Sequence, residues 1–236
     1  MWTGSWSTAS ETRACAPRPF AAASIACLLI AAGTATVSGG TVTGLVRTRA
    51  QPGVPPATAI VYAEPLDVAA PQRPTLVSLA QKGKVFHPRT LVVPVGSTVA
   101  FPNEDLIFHN VFSLSGPQPF DLGLYRGGAS RAHTFTQPAT YRVFCNIHPR
   151  MSAFVVVVPT PYATATDGDG RFVLDLPPGR YRLTAISERA GPVRATATSV
   201  AGAVMAPELA LDESGWTPVP HKNKHGQDYA AESYRR

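Results

Sequence analysis

Between Val143 and Met151 the chain reads VFCNIHPRM, which sets a thiol, an imidazole and a thioether at Cys145, His148 and Met151. Asn146 and Pro149 interrupt a β-type run, so the expected local structure is a strand ending at Cys145, a tight loop, and a second strand from Ser152. A loop that short lets its three side chains converge on one point. A fourth donor, His109, stands 36 residues upstream in LIFHNVFSL, between the turn PNED and a β-type run. Two imidazoles, one thiolate and one weak thioether match a trigonal copper site with a long axial bond. Thiolate and thioether favour Cu(I), and imidazole tolerates both oxidation states. That combination suits one-electron transfer.

Other chemistries use parts of this set. Taken singly, Cys145 reads as a buried core thiol, His148 as a loop residue and Met151 as packing. Cysteine with two histidines also binds zinc, although a thioether is a poor zinc ligand and no base is placed to use a zinc-bound water. A Cys–His nucleophile lacks an oxyanion or third-member pattern.

The first 39 residues resemble an export leader: Arg13 and Arg18 precede the apolar run PFAAASIACLLIAAGTATVSGG, Pro19 to Gly40, with cleavage expected after Ala35 or near Gly39. That apolar core is short for a membrane span, so no stable membrane insertion is expected after cleavage. Of the three cysteines, Cys15 and Cys27 would leave with the leader, so Cys145 would stand alone in an oxidising, periplasmic or otherwise exported compartment. A lone thiol there needs burial or a metal.

About 195 residues then remain, room for one large or two small domains. With 44% hydrophobic and 15% charged residues the composition is that of a folded chain. The formal charge is +6; the leader holds two arginines and one glutamate, which leaves +5. No Lys/Arg run is interleaved with aromatics, so nucleic acid is not an expected partner.

The elements that must position the donors read as strands: TVTGLVRT and TAIVYAEP, then TLVSLAQ, RTLVVPV, STVAFP, LIFHNVFSL, RAHTFTQ, TYRVFC and SAFVVVV. Short β-runs separated by Gly, Pro, Asn and Asp indicate an all-β antiparallel sandwich or barrel. After Pro159 the pattern restarts as YATATDGDGRFVLDLPPGRYRLTAIS, with two Gly-containing turns. DGDG, Asp167 to Gly170, reads as a hairpin turn because the later oxygen ligands of a calcium loop are missing. His87 and His133 are expected on strand surfaces, His221 and His225 solvated in a polar tail.

VGSTVAFPNEDLIFHNVFS followed by YRVFCNIHPRMSAFVVV resembles the cupredoxins, the blue copper fold of plastocyanin and amicyanin, over about 80 residues, Thr75 to Val158. The Cys-x2-His-x2-Met loop is similar to the amicyanin type. The resemblance implies a Greek-key sandwich and one type 1 copper ion, with His109, Cys145 and His148 as equatorial ligands, Met151 axial, and Asn110 bracing the ligand loop. Arg150 departs from the pattern, standing where amicyanin-like loops carry an apolar residue.

GTVTGLVR with ATAIVYAEP, and later TDGDGRF with PPGRYRL, resemble the two halves of a carboxypeptidase regulatory-like, transthyretin-type β-sandwich. The expected organisation is therefore a leader (residues 1–39), a discontinuous regulatory-like sandwich (40–75 and 159–212), an inserted cupredoxin domain (76–158) and a loose polar tail (213–236). The whole order is similar to bacterial proteins labelled methylamine utilization protein, an association rather than a demonstrated chemistry. The implied role is a non-enzymatic electron carrier with a protein redox partner, such as a cytochrome or dehydrogenase, acidic where it meets Arg150. The alternative is a copper-binding structural or cargo protein.

Overall fold

The computed structural model describes Met1 and residues 39–229; the leader expectation therefore falls almost wholly outside the described residues. Eighteen strands follow in chain order among the described residues. The first five are β1 (Gly40–Arg49), β2 (Ile60–Pro65), β3 (Leu76–Ser78), β4 (Ala80–Lys82) and β5 (Val85–His87). Then come β6 (Thr90–Pro94), β7 (Thr98–Pro102), β8 (His109–Ser113), β9 (Phe120–Tyr125), β10 (Ser130–Thr134), β11 (Ala139–Phe144) and β12 (Ser152–Val158). The last six are β13 (Ala163–Ala165), β14 (Arg171–Leu176), β15 (Gly179–Ile186), β16 (Val193–Ser199), β17 (Gly202–Met205) and β18 (Leu209–Asp212). The described chain is all-β, and no described helix is long and apolar enough to cross a membrane.

The donor-bearing strands belong to a five-stranded sheet of order β6-β12-β11-β8-β9, with β10-β7-β3 as a separate three-stranded sheet. Between them lies a core containing Phe101, Val111, Phe135, Tyr141 and Val155, with Cys145 and Met151 at its edge in sequence terms, one residue outside β11 and β12. SAFVVVV is continuous rather than alternating because β12 is buried on both faces. Ala153, Val155 and Val157 enter that core, while Phe154, Val156 and Val158 join Ile60 of β2 in a second cluster flanked by Tyr62 and Ile186.

Strands from the two ends of the chain pair with each other. β1 runs antiparallel to β14, from Gly40 opposite Leu176 to Leu45 opposite Arg171, and parallel to β17 and β18. β2 lies between β13 and β15, antiparallel to both. Val42, Phe172, Leu174 and Leu211 from the first group face Val61, Leu183 and Ala185 from the second in a common core. The alternating burial of RFVLDL on β14 is the half-buried pattern such packing requires.

One turn differs from expectation. The DGDG turn closes with the Asp167 amide donating to the Arg171 carbonyl at 3.0 Å and Gly170 at φ +81°. It makes no hairpin, because β13 pairs with β2 and β14 with β1. PPG likewise passes the chain from β14 to β15 in the other sheet, with the Tyr181 hydroxyl donating to the Pro177 carbonyl at 2.9 Å. Each turn changes layer, so two facing apolar sheets result instead of one ribbon.

The two cores lie in one compact unit. Besides the cluster around Phe154, Glu188 ties them: its carboxylate meets the Arg89 guanidinium at 2.6 Å and its carbonyl accepts from Arg142 at 3.2 Å.

Candidate metal centre

Strand β11 delivers Cys145 and β12 receives the chain after Met151. The Cys145 amide donates to the Met151 carbonyl at 3.1 Å, and the Met151 amide to the His148 carbonyl at 3.0 Å. Residues 145–151 are thus a hairpin loop closed at its neck. β8 lies beside β11, with Phe112 opposite Phe144, and its first residue is His109.

The loop and β8 bring three donors together. His109 Nδ1 and His148 Nδ1 are 3.0 Å apart, Cys145 Sγ is 3.5 Å from His148 Nδ1 and 3.9 Å from His109 Nδ1. A point equidistant from atoms so spaced lies about 2.0 Å from each, the length of a metal–imidazole bond. Among the described residues this is the one cluster of three such ligands. Met151, also expected in the set, is fully buried in the same core as Cys145.

Each donor is prepared by its neighbours. His109 Nε2 lies 2.7 Å from Asp105 Oδ2, so the ring proton is held at Nε2 and the Nδ1 lone pair is free for a metal. Asp105 is itself gripped by β4 and β5. The two residues between those strands, Gly83 and Lys84, have φ of 63° and 61°, and their consecutive amides donate to the two Asp105 oxygens at 2.6 and 2.9 Å. Partial burial works to raise the Asp105 carboxyl, but hydrogen bonds from Lys84, His109 and Gly83 outweigh it and hold the group below the ordinary carboxylate range.

At Cys145 burial dominates and pushes the thiol up, against backbone N–H groups of Asn110, Ile147 and His148 directed at the sulfur. Burial, then the neighbouring His109 ring and the Lys84 ammonium, lowers His148, with Asp105 opposing. A buried site that disfavours both a free thiolate and a protonated imidazole suits a bound cation, which removes both penalties.

Asn110 stands where the bracing role was expected. Its Oδ1 accepts from the Asn146 amide at 3.2 Å, and its Nδ2 donates to Asp121 Oδ1 at 2.7 Å. Arg150 is exposed and in no ion pair among the described residues. His148 is half-buried, and exposed Ile147 precedes it.

No protein-family model matches the chain, and no curated protein does. Solved structures do. A copper-containing nitrite reductase from Thermus scotoductus SA-01 is 32% identical over 40% of this chain and 25% of its own, at a TM-score of 0.34. The chain thus spans about a quarter of that protein's length. A purple cupredoxin from Nitrosopumilus maritimus is 26% identical, covering 35% of this chain and 99% of its own, at 0.33. A reduced amicyanin variant is 27% identical, covering 34% and 80%, also at 0.33.

Three readings need correction. Residues 213–229 are no loose tail: Glu213 is buried, with its carboxylate accepting from the Ser187 hydroxyl at 2.6 Å, and later residues reach the ligand loop. His221 is half-buried, its ring stacked on Phe144 at 4.0 Å. His133 stacks on Phe120 at 4.1 Å instead of lying free on the strand surface. His87 and His225 are exposed, as expected.

Proposed function

We propose that the chain is a type 1 copper protein that passes single electrons between protein partners, and that His109, Cys145, His148 and Met151 are the residues that would hold the copper. The observation that carries this is the closure of two Nδ1 atoms and one Sγ on a point at metal-bonding distance, between β8 and a hairpin loop closed at its neck. Copper, when bound, supplies a one-electron couple. The chain's own residues do the rest. Asp105 fixes the His109 proton at Nε2, the backbone amides of Asn110, Ile147 and His148 favour negative charge on the Cys145 sulfur, and complete burial of His109, Cys145 and Met151 excludes water. A site whose ligands are already converged needs little rearrangement between oxidation states.

Electrons would pass through His148, the donor nearest solvent. Its surroundings combine exposed apolar Ile147 with the cationic side chains of Lys84 and Arg150, which favours an acidic partner such as a cytochrome or dehydrogenase. The strands at the two ends of the chain are read as one regulatory-like sandwich interrupted by a cupredoxin, on the strength of their mutual pairing and separate core. Export to the periplasm is supported by the apolar leader and by a single cysteine, buried, among the described residues.

Titration of the purified chain with Cu(II) tests the reading. One equivalent should produce an intense visible thiolate-to-copper band that ascorbate bleaches, and Cys145→Ser should lack the band while keeping its fold. Met151→Leu should keep the colour and shift the potential. Colourless binding by the unmodified chain would replace electron transfer with copper storage.

A further inference from the structure

The brace around the ligand loop does not end at Asn110. Asn110 Nδ2 donates to one oxygen of Asp121, and the other oxygen meets Lys224 Nζ at 2.6 Å. The Lys224 amide donates to Asn146 Oδ1 at 2.9 Å, and the Asn146 amide returns to Asn110 Oδ1. These four residues form a closed hydrogen-bonded circuit, and one of them comes from the C-terminal segment, 78 residues beyond Asn146. Two further contacts follow the same segment along the loop. The Tyr229 hydroxyl donates to the Cys145 carbonyl at 2.8 Å, and the His221 ring lies on Phe144, with Tyr229 edge-on to it at 5.1 Å.

Residues 144, 145 and 146, the arm of the loop that carries the thiolate, are each held by the segment 221–229. Three of the four donors are buried: His109, Cys145 and Met151 are 0% exposed. Any metal or reagent reaching Cys145 therefore needs the loop to open, and opening this arm breaks the contacts to Tyr229, Lys224 and His221.

We propose that residues 221–229 form a strap that holds the ligand loop shut and sets the rate at which the site exchanges metal and exposes its thiol. The inference rests on the copper reading for its metal half only, since the thiol half concerns the apo chain. The strap is built from hydrogen bonds, the Lys224–Asp121 ion pair and one stacked ring rather than an apolar face, so it lies at the low-stability end of the fold, where local opening is expected.

Two rates measured on the full chain and three variants test it: modification of Cys145 in apo protein by an aromatic disulfide reagent, and transfer of Cu(I) from loaded protein to excess bicinchoninate. Tyr229→Phe removes one hydroxyl and leaves the ring, and should raise both rates about two- to tenfold at an unchanged denaturation midpoint. Lys224→Ala should act similarly, and a chain ending at Pro220 should exceed about tenfold. Rates equal to those of the unmodified chain in Tyr229→Phe and Lys224→Ala would overturn the strap. If the full chain takes up no copper, the copper reading fails, while the apo thiol rates still decide the strap.

Discussion

Replacing Asp105 with asparagine probes how far the outer residues tune the metal. The carboxylate lies 2.7 Å from His109 Nε2, and the imidazole then spans to Nδ1 and a metal about 2.0 Å further, a total of about 6–7 Å. One elementary charge at that range, at an effective dielectric constant of about 20, interacts with another by about 2.5 kcal/mol. Cu(II) carries one charge more than Cu(I), so Asp105 favours the oxidised form by up to that amount, and its removal should raise the reduction potential by about 100 mV. The amide also offers only one acceptor oxygen where Gly83, Lys84 and His109 all donate, so copper affinity should fall about tenfold or more. The assay is a spectroscopic redox titration of the copper-loaded variant beside the unmodified chain at pH 7. An unchanged or lower potential would refute the reasoning, because removing an anion beside a ligand cannot stabilise the higher charge.

Arg150→Glu should slow association with an acidic redox partner several-fold at low ionic strength, with the difference shrinking as salt is added; equal rates at low salt in stopped-flow experiments would remove Arg150 from the docking face. Phe154→Ala empties a fully used site between the two cores and should cost about 3–5 kcal/mol in chemical denaturation. At Asp121, burial raises the carboxyl but hydrogen bonds from Lys224, Asn110 and Gly123 prevail and depress it in the folded chain. A depressed carboxylate contributes stability above its unfolded pKa, about 3.9, and loses that contribution as pH falls through the folded value. Thiol modification of the apo chain should therefore accelerate relative to Lys224→Ala, which lacks the Asp121 partner, only below about pH 4, and a rise beginning near neutrality would point to a different group.

The donor set was legible because three of its members share one loop and the fourth sits on a strand beginning directly after a turn. What fixed their preparation was not. Asp105 lies four residues before His109 in PNEDLIFHN and reads as part of a turn; its role depends on the left-handed pair Gly83–Lys84, brought beside it from a distant hairpin. Strand β9, FDLGLY, does not read as a strand from the sequence because Gly123 interrupts the alternation at φ 71° and Gly and Pro surround it. The layer changes at DGDG and PPG were hidden for another reason: a turn's residues specify local geometry, and which sheet each flanking strand joins depends on partners far away in sequence. HKNKHGQDY carries no periodicity because its contacts are single hydrogen bonds and a ring stack, which leave no apolar pattern to read.

X-ray absorption at the copper edge of the loaded, full-length chain tests the central claim most directly, because it counts the atoms bound to the metal. Two nitrogens and one sulfur, all within about 2.0–2.3 Å, are predicted from the triangle formed by His109 Nδ1, His148 Nδ1 and Cys145 Sγ. A first shell of nitrogen and oxygen alone, without a short sulfur, would contradict the account.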